Sequence, residues 1–510
     1  MYYTDKPINT EKDDELGRNG FAKLLAKALI SFERTETFTI GIYGKWGIGK
    51  TSVVNMALEI ISENEKYKAQ EERMVVVKFN PWYFSDSEQL FFQFFTRLKN
   101  EFQSQKDKSK EKIGDALEKY SESLSVLEII PYAGKFLAPF AKNGVKRLGK
   151  HLGSNNNDIQ QCKDNITKIL KEQKSKMLIV IDDIDRLNTS QICRIFQLVA
   201  SVADFPNTMY LLIFDKEIVV RSLEEVQKGR GEDYLEKIIQ MPINIPDVSD
   251  AKLKGLFLER LNDIAERHSD SYYEKHFQEL YTACLIPFVN SIREVNRVIN
   301  ILQFKMSAIG NEVDFADMLA LTEIEVFCPS VYTWIKGNKQ ILTGYNDFHF
   351  GEKLSQIELL ERYKEELRTI LESEGNPNSV DIVFNLLCCL FPYFGNKVGY
   401  HTMMKYERDE SYRRSYISTP DKFDRYFDLD PNNVNIKREE LNEYLYKAGE
   451  ESLYLYLLRQ DKLGNSFDLM TEIKSVLDVL PEERLFALAN SIIRAIHQYR
   501  AIYKGSNILS

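Results

Sequence analysis

Long apolar runs are missing from this sequence, and so are paired cysteines, clustered histidines and a surplus of positive charge. No segment carries the roughly 18 uninterrupted apolar residues that a membrane-spanning helix needs. The closest, Val126 to Ala141, is broken by Glu128, Pro131, Lys135 and Pro139. Six cysteines (Cys162, Cys193, Cys284, Cys328, Cys388, Cys389) include no CxxC pair and no histidines at metal-site spacing, so neither a disulfide framework nor a zinc site is expected, and the thiols read as reduced and mostly buried. With only six histidines, no metal set or nucleophile–base pair is legible. Lys plus Arg number 67 against 76 Asp plus Glu, a formal charge of −9, which excludes broad electrostatic attraction to nucleic acid. The opening residues, MYYTDKPINTEKDDELGRNG, lack the basic start and apolar stretch of a secretory signal, so a cytoplasmic location is expected.

What is present is an ordinary globular composition, 44% apolar and 28% charged, in a chain of 510 residues. That length exceeds what one hydrophobic core usually organises. The first half alternates short β-like runs with amphipathic stretches, the pattern of parallel strands joined by crossover helices. Phe38–Tyr43, Met74–Phe79, Met177–Ile181 and Met209–Phe214 are nearly continuous apolar runs, as expected of strands covered on both faces. Met241–Ile245 is a fifth candidate. After Pro246 helical patterns dominate, and no fixed-period repeat is present.

Two motifs carry chemistry. Residues 41 to 52 read GIYGKWGIGKTS, so Gly44, Gly49, Lys50 and Thr51 fit GxxxxGK[ST] between a β-like run and a helix-like one. Such a loop, here Gly44, Lys45, Trp46, Gly47, Ile48, Gly49, Lys50, Thr51 and Ser52, turns successive backbone N–H groups onto phosphate oxygens at a helix N-terminus. Lys50 is expected to reach the β- and γ-phosphates, and Thr51 to offer its hydroxyl to Mg²⁺. The second motif is MLIVIDDIDRL, Met177 to Leu187, where an apolar strand delivers carboxylates to its C-terminal edge. Asp182 is expected to hold the magnesium shell and Asp183 to polarise the attacking water. An isolated Asp-Asp pair is more often a solvated turn; the apolar run before it decides otherwise. The strand between the two motifs indicates the P-loop class in which another strand separates the Walker A and Walker B strands. Asp215, ending the fourth run, lies where related ATPases carry a polar residue that touches the γ-phosphate or the lytic water.

Taken together these segments resemble a KAP-family P-loop NTPase, related to the STAND and AAA+ groups. FNPWYFSDSEQLFFQFF from Phe79, YLLIFDKEIV from Tyr210, YLEKIIQMPINIP from Tyr234 and SIREVNRVIN from Ser291 share in the resemblance, as do NEVDFADMLALTEIEVFCPSVYTWI from Asn311 and STPDKFDRYFDLD from Ser418. It implies an α/β P-loop core with a mostly α-helical lid and C-terminal region. The expected division is 1–102 and 166–247 for the core, 103–165 for a helical insertion, 248–330 for the lid and 331–510 for the C-terminal region. ATP and Mg²⁺ are the implied cofactors. Gly17 and Arg18 match a segment packing near adenine, although a polar helix cap explains them equally. Arg230, in the GRG before YLEKIIQMPINIP, matches an arginine finger acting across a subunit boundary, with Arg186 competing and a solvated loop arginine as the plainer reading. Arg293 resembles a lid arginine sensing the γ-phosphate; Arg297 lies one turn on, and an exposed helix arginine is again the alternative.

Many members of the family carry membrane helices between the two motifs; the charged, Pro-broken stretch at that place departs from this. A soluble insert is therefore expected, with Leu127 to Phe140 and the basic Lys142 to His151 as the places where it would touch a membrane or subunit. Pro81 and Trp82 are expected to pack on the core. A homo-oligomer is compatible with the finger, and a protein partner is expected on the C-terminal half, which holds no chemical motif. Bacterial members are often associated with phage defence, an implication of resemblance and not of any site.

Overall fold

The computed structural model describes residues 2–33, 36–84, 90–104, 108–128, 156–227, 230–281, 288–345, 354–376, 378–400 and 408–505. Its contacts divide the chain into two units, Lys6–Ser249 and Met1–Asp5 with Asp250–Ser510.

Among the described residues the first unit is built on five parallel strands, β1 (Phe38–Tyr43), β2 (Val75–Phe79), β3 (Met177–Ile181), β4 (Thr208–Phe214) and β5 (Met241–Asn244), in the order β2-β3-β4-β1-β5. β4 therefore separates the strand that leads into the phosphate loop from the strand that delivers the carboxylates, as the sequence leads one to expect. Side chains alternate across a strand, and here each set is covered. Leu178, Val180, Leu211, Ile213, Ile40 and Ile42 meet α1 (Asn19–Ile30) and α2 (Lys50–Glu65). Met177, Ile179, Ile181, Tyr210, Leu212 and Phe214 face the opposite layer. That layer comprises α3 (Leu90–Ser104), α4 (Lys108–Glu128), α5 (Asn156–Glu172), α6 (Thr189–Gln197), α7 (Lys216–Gln227) and α8 (Gly231–Ile238). Burial on both faces is why the strands read as continuous apolar runs.

Three strand ends differ from the sequence expectation by one residue. Met74 stays out of β2 because its N–H is taken by Glu65 Oε2 at 2.8 Å. Thr208 joins β4 by pairing with Met177, directly after Asn207 turns the chain at a φ of 56°. β5 ends at Asn244; it is an edge strand, where Pro242 needs no ladder donor.

α4 presents Ile113, Ala116, Leu117 and Tyr120 to the same core as the sheet, an i, i+3, i+4, i+7 stripe. Tyr120 donates its hydroxyl to Val202 O at 2.8 Å and packs edge-on against Phe95. Pro81 is buried as expected, but Trp82 and Tyr83 are not core residues: they stand 50% and 74% exposed. Asn80 causes this by accepting Trp82 N–H in a tight turn at the end of β2, which points the next rings outward. Among the described residues no helix is long and apolar enough to cross a membrane. Most of Leu127 to Phe140, and all of Lys142 to His151, lie outside the described residues. Cys193, Cys328, Cys388 and Cys389 are buried thiols outside any disulfide, and Cys162 is partly buried.

The second unit is helical. α9 (Asp250–Arg267), α10 (Glu274–Leu280), α11 (Ile292–Ile309) and α12 (Phe315–Phe327) open it. The N-terminal residues belong to it: Tyr3 exchanges two hydrogen bonds with Asn300, at 2.8 and 2.7 Å, under the Arg260 guanidinium. Glu450–Lys462, Ser466–Val476 and Glu482–Gly505 close a further core around Leu453, Leu457, Leu469 and Leu488.

Candidate functional site

β1 ends at Tyr43, and the chain then needs two glycines in left-handed conformation to reach α2: Gly47 has a φ of 83° and Gly49 a φ of 91°. Gly49 is additionally closed in, since a Cβ there would stand 3.3 Å from Arg18 Nη1. Lys50, the first residue of α2, is 9% exposed. Its Nζ donates to Gly44 O at 2.8 Å and Lys45 O at 3.3 Å and faces Asp185 Oδ2 at 3.4 Å.

Next to it, Thr51 donates its hydroxyl to Asp182 Oδ2 at 2.8 Å, while Asp182 Oδ1 accepts the N–H of Asp183. Burial raises the Asp182 carboxyl above its ordinary value, the Thr51 hydrogen bond pulls it back, and the neighbouring Asp183 adds to the rise. Asp183 leaves β3 at a φ of 58°, a conformation uncommon for a residue with a side chain. Both its oxygens are held: Oδ2 accepts from Asn80 Nδ2 at 2.7 Å, and Oδ1 pairs with Arg186 Nε at 2.8 Å. The left-handed turn also carries Asp185 back to Lys50, and Asp185 Oδ2 accepts the N–H of Asp215 at 3.1 Å. Three strand ends thus meet: the Lys50 and Asp185 side chains follow β1 and β3, and the backbone N–H of Asp215 follows β4.

Gly17 takes a φ of 67° and delivers Arg18, 7% exposed, onto Ile48 O of the phosphate loop and onto Pro246 O at 3.1 Å. Burial lowers the Arg18 guanidinium, against the opposing pull of Asp14 and Asp247. Ser52 Oγ accepts the N–H of Ile8 at 3.3 Å. Trp46 is 63% exposed, and the Asp215 side chain caps α7 by accepting from Glu217 N–H at 3.1 Å. Arg230 is exposed at the head of α8. Arg293 lies in the helical unit, where its Nε donates to Asp5 Oδ2 at 3.0 Å, and Arg297 on the same helix is exposed. Two residues escaped the sequence reading, Asn80 and Asp185. Asp185 had a visible signal, a third acid in the same short motif; Asn80 had only its place at a strand end.

Residues 18–307, more than half of the chain, match the KAP family P-loop domain. The chain belongs to the KAP family of P-loop NTPases. Nucleotide binding is the property this family membership implies. Over 378 residues the chain is 25% identical to the phage T7 exclusion protein of Escherichia coli (strain K12), covering 68% of this chain and 50% of that protein. It thus spans about half the length of the curated relative it matches. Among solved structures, the Aeropyrum pernix ORC2 protein (TM-score 0.33, 12% identity) covers 76% of this KAP protein and 99% of its own chain. The ORC1 protein of the same organism, solved with DNA (0.30, 13%), covers 77% and 95%, and a Walker-type ATPase of Pyrococcus abyssi (0.30, 10%) covers 78% and 100%.

Proposed function

We propose that this KAP protein binds ATP with magnesium and hydrolyses it, coupling nucleotide state to a partner or assembly. The observation that carries the reading is the 2.8 Å hydrogen bond between Thr51 and Asp182, next to Lys50 at the head of α2. It joins the phosphate loop to the carboxylate strand at one point. The fit to a divalent cation is electrostatic: a carboxylate that burial disfavours in its charged form is stabilised when a cation shares its site. Thr51 and Asp182 would hold Mg²⁺, which would neutralise charge on the phosphates.

The other residues have separate tasks in this reading. Lys50 exchanges its two loop carbonyls for β- and γ-phosphate oxygens, a trade of neutral acceptors for charged ones. Asp183 orients the attacking water in line with the γ-phosphate and takes its proton. Asp185 keeps the Lys50 ammonium paired until phosphate arrives. Arg18 shapes the wall of the loop, and Gly17 gives the turn that places it. Arg230 stays a proposed finger toward a second subunit and Arg293 a proposed sensor, in a lid at 248–330 followed by a C-terminal region at 331–510 that meets the partner. The relative named for phage exclusion supports phage defence as the setting.

A slow nucleotide-regulated switch is the second reading, favoured by the occupation of both Asp183 oxygens. Steady-state turnover separates the two. Wild-type hydrolysis falling about 100-fold or more in Lys50→Ala, the scale of losing charge stabilisation at the transferred group, supports the enzyme. Tight ATP binding with no turnover in the wild type supports the switch.

A further inference from the structure

The exposed tryptophan in the phosphate loop has no role in the chemistry above, and Arg186 has been only a rival finger. Their geometry joins them. Arg186 is bound from below by Asp183 Oδ1 at 2.8 Å. Its guanidinium also lies over two rings, 5.9 Å from the Trp46 ring centroid and 5.2 Å from that of Trp82. Trp46 belongs to the phosphate loop and Trp82 to the turn after β2, so one cation ties two loops to the carboxylate of a third. Cation–π attraction is strongest at tryptophan, and the planar guanidinium serves rings and carboxylate at once, as an ammonium does not.

We propose that Arg186 is a positioning residue that acts within its own subunit, fixing the Asp183 carboxylate for water attack, with Trp46 and Trp82 as the rings that hold it in place. The proposal rests on the hydrolysis reading. It assigns to Arg186 a role opposite to that of a finger: a finger must be free to reach another subunit, whereas this side chain is engaged on three sides. It also explains why the turn at Asn80 sends Trp82 outward instead of into the core. Asn80 and Arg186 then grip the two oxygens of Asp183 from different loops, leaving each oxygen one lone pair for water. Because Trp46 sits on the phosphate loop, the grip and the phosphates share one short segment.

The test is a double-mutant cycle in the full chain. Arg186→Ala is expected to lower kcat roughly 10- to 100-fold, the scale of a misplaced reacting group, with ATP affinity changed by less than about threefold. In an Asp183→Asn background the same change is expected to cost nothing further. Arg186→Lys is expected to restore less than about a third of the activity, and Trp82→Ala to cost a smaller factor than Arg186→Ala. Multiplying effects in the cycle, or an affinity loss as large as the kcat loss, would overturn the proposal. So would activity regained on mixing Lys50→Ala with Arg186→Ala subunits, the signature of a finger. A second readout is independent of turnover. In a Trp334→Phe background the tryptophan emission of Asp183→Asn should match that of Arg186→Ala and differ from the parent. Absent turnover in the wild type sinks the hydrolysis reading and the positioning role together, while matched emission would still show the linkage; unmatched emission refutes the linkage alone.

Discussion

Two clusters of acids in this protein use the same residue types to opposite ends. At the mouth of the sheet, Asp182, Asp183 and Asp185 are each partly accessible, and each accepts from two donors. Inside the helical unit, His276, Asp314 and Asp317 lie within 4.8 Å of one another and are 6%, 1% and 1% exposed. They bond to groups within the fold: His276 Nε2 meets Asp317 Oδ1 at 2.7 Å, and Asp317 Oδ2 accepts the N–H of Ile417 at 2.8 Å. Asp314 Oδ1 caps α12 through the N–H groups of Ala316 and Asp317, at 2.8 and 3.1 Å. Tyr426, fully buried, donates to Ser415 O and accepts from Asp314 N–H. A buried cluster bonded within the fold pins three segments of chain; a cluster whose partners exchange can pass them to a ligand. In the proposed function Lys50, resting on its own loop carbonyls, is the partner that exchanges.

The sharpest way to break the comparison is to remove one acid from each cluster. Asp317→Ala strands a buried charged imidazole and is expected to cost about 3–5 kcal/mol, the scale of halving a buried ion pair. Chemical denaturation followed by circular dichroism reads it; a loss under 1 kcal/mol would make the cluster no more than surface-like.

Proton linkage comes next in size. Burial pushes His276 down, but Asp317 and Asp314 outweigh it and raise it to about 9, above its ordinary 6.5. Its stabilisation is full below pH 6.5 and is lost as pH rises through 9. Burial raises Asp314 to about 7 from its ordinary 3.8, so ionising it also weakens the fold as pH climbs through that range. Stability is therefore expected to fall by about 4 kcal/mol between pH 6 and pH 9.5, and His276→Gln to flatten the alkaline part. An unchanged slope in that variant would place the dependence elsewhere.

At the site the expected signature is reversed. Asp182→Asn should lower magnesium-dependent turnover about 100-fold, close to 3 kcal/mol in the barrier. Stability should stay level or rise, because the substitution removes a carboxylate that burial disfavours in its charged form. Equal losses in turnover and melting temperature would mean that Asp182 supports the fold and not the reaction.

The sequence made the first cluster readable and hid the second for a physical reason. A phosphate loop and a strand-end acid pair are local, written within a dozen residues each, and the sheet brings them together whenever β1 and β3 form. Asp185 escaped because its role depends on the left-handed turn at Asp183, which no propensity announces for an aspartate. Trp82 was misjudged because large rings are usually buried, while here the capping of Asn80 decides the direction. His276, Asp314, Asp317 and Tyr426 are scattered over 150 positions of helical sequence, and the few histidines gave no spacing to read. Met74 shows the same limit in small: a buried Glu65 carboxylate, and not its own β-propensity, sets where β2 begins.

The burial of α4 has a practical meaning for anyone who shortens this protein. A deletion that begins near residue 103 would strip Ile113, Leu117 and Tyr120 from beneath the sheet and bare the rings of Phe95 and Phe205 that Tyr120 covers. One that keeps residues up to 128 and resumes at 156 leaves that apolar trough filled. The gap between the two motifs is accordingly not all loose insert, and α4 and α5 are floor rather than ornament.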